Sequence, residues 1–249
     1  MKNNFEITGL VPAAGYASRI SPIPCSKEIY PINYPSDDSN NIKSPKVISA
    51  SLLEKFGIVG LEKVYMIIRK GKWDIPQYFG TGSSFGLNFA YLVTDPTPDT
   101  PHTIDKAYHF IKNKRVLLGF PDIQISHKNP FQKLLIQLEN SGSDMVLGLF
   151  KTHKPYKSDM VETDKNNNVK KIIIKPDSSN LKYTWLLAVW NPVFTDFLHN
   201  FLSKHQSKAL EKGKKELYIG DIIQKAIQNG LKVSSVRFPD STSIDSRNN

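Results

Sequence analysis

An apolar segment that runs directly into a loop of small residues most constrains what this chain can fold into. Residues Gly9–Ala14 read G-L-V-P-A-A, and Gly15–Arg19 follow as G-Y-A-S-R. A nucleoside triphosphate site requires such a strand and loop, because small residues let backbone N–H groups approach phosphate oxygens. Arg19 and Lys27 are cations of the kind that neutralise phosphate charge. We therefore predict a triphosphate site here, with an ordinary strand-to-helix loop carrying a surface Arg and Lys as the alternative.

Strand and helix signals alternate along the first half of the chain, which favours a mostly parallel sheet built from β-α-β units. The apolar runs predict strands at Ile7–Ala13, Lys63–Arg69, Leu87–Thr94, Arg115–Phe120 and Asp144–Lys151. The helical spacing predicts helices at Pro45–Phe56, capped by Ser44, and at Thr103–Lys112 and Phe131–Glu139.

The second half has a different pattern. Val161–Asp164 and Val169–Lys175 predict a β-hairpin around a polar turn. Tyr183–Trp190 has almost no polar face, so we expect a strand buried on both sides. Helices at Pro192–His205 and Tyr218–Gln228 and a last strand at Lys232–Phe238 complete the prediction of an α/β fold.

Composition limits the partners that such a chain can have. The 249 residues form one expected domain, and 33 basic against 23 acidic residues give a net charge of +10. That charge makes nucleic acid a competing partner, but the lysines are dispersed without a sustained basic helix, so we expect no nucleic-acid partner. A single cysteine excludes an intramolecular disulfide and favours a reducing, cytoplasmic location. The lack of an 18-residue apolar run predicts no membrane partner.

The phosphate-loop sequence excludes two common motifs and resembles a third. It contains neither G-x-G-x-x-G nor G-K-[ST]. Val11–Pro22 followed by Pro24–Lys27 resembles the signature L-A-A-G-x-G-[ST]-R-[LM]-x-P-x-T…P-K of the sugar-1-phosphate nucleotidylyltransferases, in particular those of the glucose-1-phosphate thymidylyltransferase type. Ala17 stands where that family has its second glycine, so the chain is identified as a divergent member.

This resemblance implies a Rossmann-like, mixed but mostly parallel sheet flanked by helices, of the nucleotide-diphospho-sugar transferase type, with a small β-excursion. Residues 1–249 would form one nucleotidyltransferase domain, with a nucleotide-binding half at about 1–150 and an acceptor-binding half at about 151–249. The implied reaction moves a nucleoside monophosphate from a dTTP- or UTP-like triphosphate to a sugar-1-phosphate or a related phosphorylated sugar or alcohol, with release of pyrophosphate. A non-catalytic relative that binds a nucleotide or sugar nucleotide is the alternative.

The reaction needs cations, loop N–H groups and a divalent metal such as Mg²⁺, since its nucleophile is already ionised. Asp122 follows the predicted strand Arg115–Phe120, at the end where open α/β sheets bind ligands. The resemblance makes Asp122 and Asp245 the Mg²⁺ ligands, whereas a turn-capping Asp122 and a polar tail residue at position 245 are the alternatives.

The remaining candidates follow from the same resemblance. Catalytic roles are expected for Arg19, Lys27 and Asp122, nucleotide binding for Leu10, Ala13, Ala14, Gly15, Thr100 and His102, and acceptor binding for Lys175 and Trp185. For His102 we consider both a hydrogen bond to the base and a helix-capping role, and capping by Thr100 or Thr103 is the safer interpretation. Lys175 is equally consistent with an ordinary lysine at a strand end.

Two departures from the family pattern lie on the acceptor side. Ile174 replaces a glutamate that contacts sugar hydroxyls in relatives, and Trp185 replaces a glycine that lets the sugar approach the backbone. The sequence therefore predicts an acceptor site that differs from that of an ordinary hexose-1-phosphate enzyme.

Overall fold

The computed structural model describes residues 5–16, 22–33, 46–209, 216–239 and 243–245. The strands in these ranges are β1 (Ile7–Pro12), β2 (Pro31–Asn33), β3 (Lys46–Val47), β4 (Lys63–Arg69), β5 (Asn88–Thr94), β6 (Arg115–Gly119), β7 (Ile123–Ile125), β8 (Met145–Lys151), β9 (Asp159–Thr163), β10 (Val169–Ile174), β11 (Tyr183–Trp190), β12 (Val233–Phe238) and β13 (Ser243–Asp245). The α-helices are α1 (Ala50–Ile58), α2 (Asp74–Phe79), α3 (Thr100–Asp105), α4 (Tyr108–Ile111), α5 (Pro130–Ser141), α6 (Pro192–Ala209) and α7 (Ile219–Gln228). None of these helices is long and apolar enough to cross a membrane.

Nine of the described strands form one mixed sheet. Its main path runs β10-β9-β11-β6-β1-β4-β5, and β8 joins β11 to β12. The pairs β6-β1, β1-β4, β4-β5 and β8-β12 are parallel, whereas β11 runs antiparallel to both β6 and β8. This confirms the predicted mixed, mostly parallel sheet.

Apolar side chains cover both faces of the sheet, which explains why β1 and β11 read as almost uninterrupted apolar runs. One face packs against α3, α4, α6 and α7, with Leu10 and Trp190 fully buried there. The other face packs against α1, α2 and α5, with Val11 and Phe56 fully buried. This confirms the prediction of a sheet flanked by helices.

Two helix predictions are wrong at their boundaries. The helix predicted at Pro45–Phe56 begins only at Ala50, because Lys46 and Val47 pair with β2 instead; its predicted cap, Ser44, lies outside the described residues. The helix predicted at Thr103–Lys112 is two short helices, α3 and α4. Between them the backbone N–H groups of Lys106 and Ala107 bond three residues back, to Thr103 and Ile104, which tightens the turn and interrupts the α-helix.

Strand order creates a crevice beside β1. The chain passes from β1 to β4 and β5 on one side and then returns to β6 on the other side of β1. This reversal of strand order between β1 and β6 is a switch point, and open α/β sheets bind ligands at the carboxyl ends of the strands at such a point.

Candidate active site

The loops after β1 and β6 meet at one end of the sheet. Leu10 pairs with Leu118 in parallel register, so residues 13–16 and residues 120–122 emerge side by side. A cavity of about 760 Å³ opens here. From the first half of the chain it is lined by Pro12, Ala14, Gly15, Tyr16, Lys27, Thr97, Pro98, Asp99, Thr100, Thr103, Phe120, Asp122 and Ile123, and from the second half by Lys151, Thr152, His153, Lys154, Lys157, Ser158, Asp159, Lys175, Thr184, Trp185, Leu186, Glu216, Tyr218 and Ile219.

Lys27 and Asp122 form an ion pair in the wall of this cavity. Lys27 begins a 3-10 turn at Lys27–Ile29, and its Nζ lies 2.8 Å from Asp122 Oδ2. The two side chains are 23% and 12% exposed, so solvent screens the pair only in part. A Cβ built on Gly15 would lie 3.9 Å from Lys27 Nζ, which places the ammonium beside the loop glycine.

Only some of the nucleotide-binding residues predicted in β1 and the loop after it line the cavity. Ala14, Gly15 and Tyr16 line it. Leu10 and Ala13 are fully buried in the sheet, and the Ala13 N–H donates to Ile67 O at 2.8 Å, so that donor is already used. Arg19 lies outside the described residues.

The segment before α3 forms the neighbouring wall. Asp99 is the N-cap of α3 and accepts from the His102 N–H at 3.0 Å, so the prediction that Thr100 or Thr103 caps this helix is wrong. His102 Nδ1 also lies 2.7 Å from Asp99 Oδ1, which holds the ring against the cap. Thr100 lines the cavity, whereas His102 is not among the described lining residues.

The second half of the chain supplies a basic and aromatic wall. Lys175 follows β10 with a left-handed backbone φ of 41°, and its Nζ lies 3.7 Å from the centroid of the Tyr218 ring. Trp185 is 4% exposed and packs against Phe120 with ring centroids 5.7 Å apart. The Trp185 indole N–H has no hydrogen-bond partner among the described residues. Both predicted acceptor residues, Lys175 and Trp185, line the cavity.

The backbone of Asp245 is brought next to the Asp122 loop by a two-stranded sheet. β13 pairs antiparallel with β7, and Asp245 lies opposite Ile123. The side chain of Asp245 lies outside what the structure describes. No cluster of three or more His, Cys, Asp or Glu side chains occurs among the described residues. A site with one or two carboxylates fits Mg²⁺ in particular, since this ion takes its other ligands from phosphates and water.

Sequence reasoning missed a buried polar network behind Lys27. Lys72 and Glu28 are 5% and 1% exposed, and Lys72 Nζ donates to both Glu28 carboxylate oxygens, at 2.8 and 2.7 Å. Burial lowers the pKa of Lys72, and the Glu28 carboxylate acts in the opposite direction. Burial also raises the pKa of the Cys25 thiol, which favours the inert packing role expected for it. A lysine that follows a strand is normally solvent-exposed, so no local sequence pattern predicts that Lys72 is buried.

Three comparisons relate the chain to known proteins. The family model described as "Nucleotidyl transferase" matches residues 9–242. The low-salt glycan biosynthesis nucleotidyltransferase Agl11 of Haloferax volcanii is 22% identical over 231 residues. That alignment covers 91% of this chain and 59% of the relative, so the chain spans less than two thirds of the relative's length.

Solved structures share the fold at low sequence identity. A structure assigned to a glucose-1-phosphate thymidylyltransferase of Bacillus anthracis superposes with a TM-score of 0.77 at 17% identity, covering 97% of this chain and 90% of the other. The inositol-1-phosphate CTP transferase of T. maritima gives 0.72 at 14% identity, with 97% and 90% covered. A UDP-glucose pyrophosphorylase complexed with UDP-glucose gives 0.75 at 16% identity, with 96% and 93% covered. Because the family model extends over nearly the whole sequence, the chain belongs to the nucleotidyl transferase family.

Proposed function

We propose that this protein transfers a nucleoside monophosphate from a nucleoside triphosphate to the phosphate of a phosphorylated sugar or alcohol. The observation that carries the proposal is the cavity at the carboxyl ends of β1 and β6, where Lys27 and Asp122 lie 2.8 Å apart on one wall and Lys175 lies on the other. Cationic groups on both walls suit a reaction between two phosphate-bearing substrates, which repel one another until they are neutralised. Membership of the nucleotidyl transferase family supports the same reaction class.

In the proposed reaction a phosphate oxygen of the acceptor attacks the α-phosphorus of the triphosphate. The bond from the α-phosphorus to its bridging oxygen breaks, and pyrophosphate leaves with the electron pair. The attacking oxygen is already ionised at neutral pH, so no side chain has to remove a proton. The roles left to the protein are orientation and charge stabilisation, which we assign to Lys27, the Gly15 backbone and Arg19 on the triphosphate and to Lys175 on the acceptor phosphate.

Mg²⁺ is part of this proposal, with Asp122 and Asp245 as its protein ligands. Asp122 lies in the cavity wall, and the pairing of β13 with β7 brings the Asp245 backbone beside the Asp122 loop. Bound there, the ion would neutralise charge on the phosphates and hold them in line. In the loaded site Asp122 would hold the ion, and Lys27 would bind phosphate oxygens of the triphosphate.

The nucleotide and acceptor subsites are assigned to different walls. We place the base beside Thr100 and the segment before α3. We propose a dTTP- or UTP-like triphosphate because the structural relatives include a glucose-1-phosphate thymidylyltransferase and a UDP-glucose pyrophosphorylase. On the other wall, Trp185 lines the cavity at the position where the sequence resemblance implies a glycine. This supports an acceptor smaller than, or shaped differently from, a hexose 1-phosphate. A cytoplasmic location belongs to the same proposal and rests on the single cysteine.

The test is pyrophosphate release measured with Mg²⁺, each common triphosphate and a panel of phosphorylated acceptors. The panel contains hexose 1-phosphates, pentose 1-phosphates and phosphorylated alcohols. Release that needs both substrates and is lost in Asp122→Asn supports the proposal. Thermal stabilisation by a triphosphate without release for any acceptor would favour the non-catalytic nucleotide-binding alternative.

Replacing Trp185 by Phe tests the acceptor assignment. The smaller ring opens space next to Phe120, so we expect the ratio of kcat/KM for hexose 1-phosphate to that for a smaller phosphorylated alcohol to rise. Competition between the two acceptors in one reaction measures this ratio. An unchanged ratio with an unchanged KM for both acceptors would remove Trp185 from the acceptor site.

A further inference from the structure

Both an apolar and several polar contacts fix the segment that carries Lys27. Of residues 22–30, all of which the structure describes, only Glu28 is fully buried, and it is a charged residue. Ile29 is partly buried and packs against the core. Polar contacts fix the two residues that flank Lys27 directly.

Those contacts come from Lys72, in the loop between β4 and α2, and from Asp74, the first residue of α2. On one side of Lys27, the Ser26 N–H donates to Asp74 Oδ2 at 2.6 Å and the Ser26 hydroxyl donates to Asp74 Oδ1 at 2.7 Å. On the other side, Glu28 accepts two hydrogen bonds from Lys72 Nζ. Both neighbours of Lys27 are thus fixed by side chains 44 and 48 residues away in the sequence.

Lys72 also reaches the loop that follows β1. Its Nζ donates to Ala13 O at 2.8 Å, so the ammonium makes three hydrogen bonds, as many as it has protons. The buried Lys72 ammonium consequently connects two parts of the site: the start of the loop that contains Ala14 and Gly15, and the segment that contains Lys27. None of Ser26, Glu28, Lys72 and Asp74 is among the described residues that line the cavity.

A buried ion pair contributes little net free energy to the stability of a fold. Desolvation offsets most of its Coulomb attraction, and well-packed apolar residues often replace such a pair without loss. A buried pair does, however, restrict geometry, because any displacement leaves a charge unpaired in a low-dielectric interior. We propose that Lys72 and Asp74 are positioning residues that hold Lys27 beside Gly15 and Asp122, in the geometry that receives the triphosphate. The triphosphate part of this inference rests on the proposed function.

The test compares Lys72→Met with the matched control Lys55→Met. Lys55 is also buried, at 8% exposed, but its Nζ donates to Ser51 O and Oγ within α1. Amide hydrogen exchange is measured in the protein without ligand, and the readout is the exchange rate of a peptide that spans residues 24–31. The amide of Ser26 is held by Asp74, and those of Ile29 and Tyr30 by the 3-10 turn. We expect faster exchange of this peptide in Lys72→Met and in Asp74→Ala, and no change in Lys55→Met.

Steady-state kinetics supply the second measurement. We expect Lys72→Met to raise the KM for the triphosphate about tenfold or more, since ångström-scale misplacement of a binding group has effects of this size. The acceptor KM should stay within about twofold, because Lys175 on the opposite wall is untouched. If Lys72→Met does not fold, Lys72→Met combined with Glu28→Met keeps the site apolar and should give the same KM pattern.

The outcomes separate the two proposals. Unchanged exchange at residues 24–31 would overturn the positioning role whatever the activity, and so would faster exchange with an unchanged triphosphate KM. An equal KM increase in Lys55→Met would assign the effect to general destabilisation and also overturn it. Absence of turnover and of triphosphate binding in the wild-type protein would defeat the proposed function and with it the triphosphate part of this inference, while the exchange result would still decide whether Lys72 and Asp74 hold the segment.

Discussion

Replacing Lys27 by Met removes an ammonium that lies 2.8 Å from Asp122 Oδ2 and keeps an unbranched side chain of similar length. A hydrogen bond from a charged group contributes about 1.5–3 kcal/mol. If Lys27 makes one such bond to the triphosphate, kcat/KM for the triphosphate should fall roughly 10- to 150-fold. The Gly15 backbone is adjacent and unchanged, so we expect weakened and not abolished binding.

The same substitution has a separate effect on stability. Exposed ion pairs contribute about 0–1 kcal/mol, whereas breaking a fully buried pair costs about 3–5 kcal/mol. With side chains 23% and 12% exposed, the Lys27–Asp122 pair lies between these limits. We expect a loss of about 1–2 kcal/mol, which is roughly 2–8 °C in Tm for a protein of this size.

Two assays measure these effects independently. Pyrophosphate release at varied triphosphate concentration gives kcat/KM, and thermal unfolding gives Tm. Lys63→Met is the control, because Lys63 pairs with Glu6 at 3.1 Å at the surface, where both side chains are about half exposed. A Lys27→Met variant whose Tm falls while kcat/KM changes less than about threefold would refute a contact between Lys27 and the triphosphate.

Asp122→Asn should raise the Mg²⁺ concentration needed for half-maximal turnover by at least about tenfold, measured by Mg²⁺ titration; an unchanged requirement would argue against ligation. Gly119→Ala should destabilise the protein by about 1–3 kcal/mol in urea unfolding, because the added Cβ would overlap Leu52 Cδ1, and the double variant with Leu52→Ala should lose less than the sum of the two single losses. Hydrogen bonds from Asn168 lower the pKa of Asp164 in the β9-β10 turn to about 2, below its ordinary value of 3.8. Asp164→Asn should therefore lower Tm at neutral pH, and the difference from wild type should shrink as pH falls from about 4 to about 2, because the wild-type advantage is lost on protonation; a difference independent of pH would contradict this.

Local patterns were sufficient where a segment's structure depends on its own side chains. The bounds of β4 and β11 agree with their predicted bounds, because a short apolar run rich in β-branched and aromatic residues is typical of a buried strand. One prediction failed because another segment intervened: Lys46 and Val47 pair with β2, so α1 begins later. The other failed locally, because Asp99, and not the neighbouring Thr100 or Thr103, caps α3.

The sequence by itself determined the α/β class, the loop of small residues and the residue types a phosphate site needs, because these follow from apolar periodicity and from local chemistry. Only the tertiary structure decided which groups meet. The parallel register of β1 and β6 brings Asp122 to Lys27 across 95 residues of chain, and the turn after β4 brings Lys72 beneath them. Such contacts depend on strand order and loop paths, and no short window of sequence contains that information.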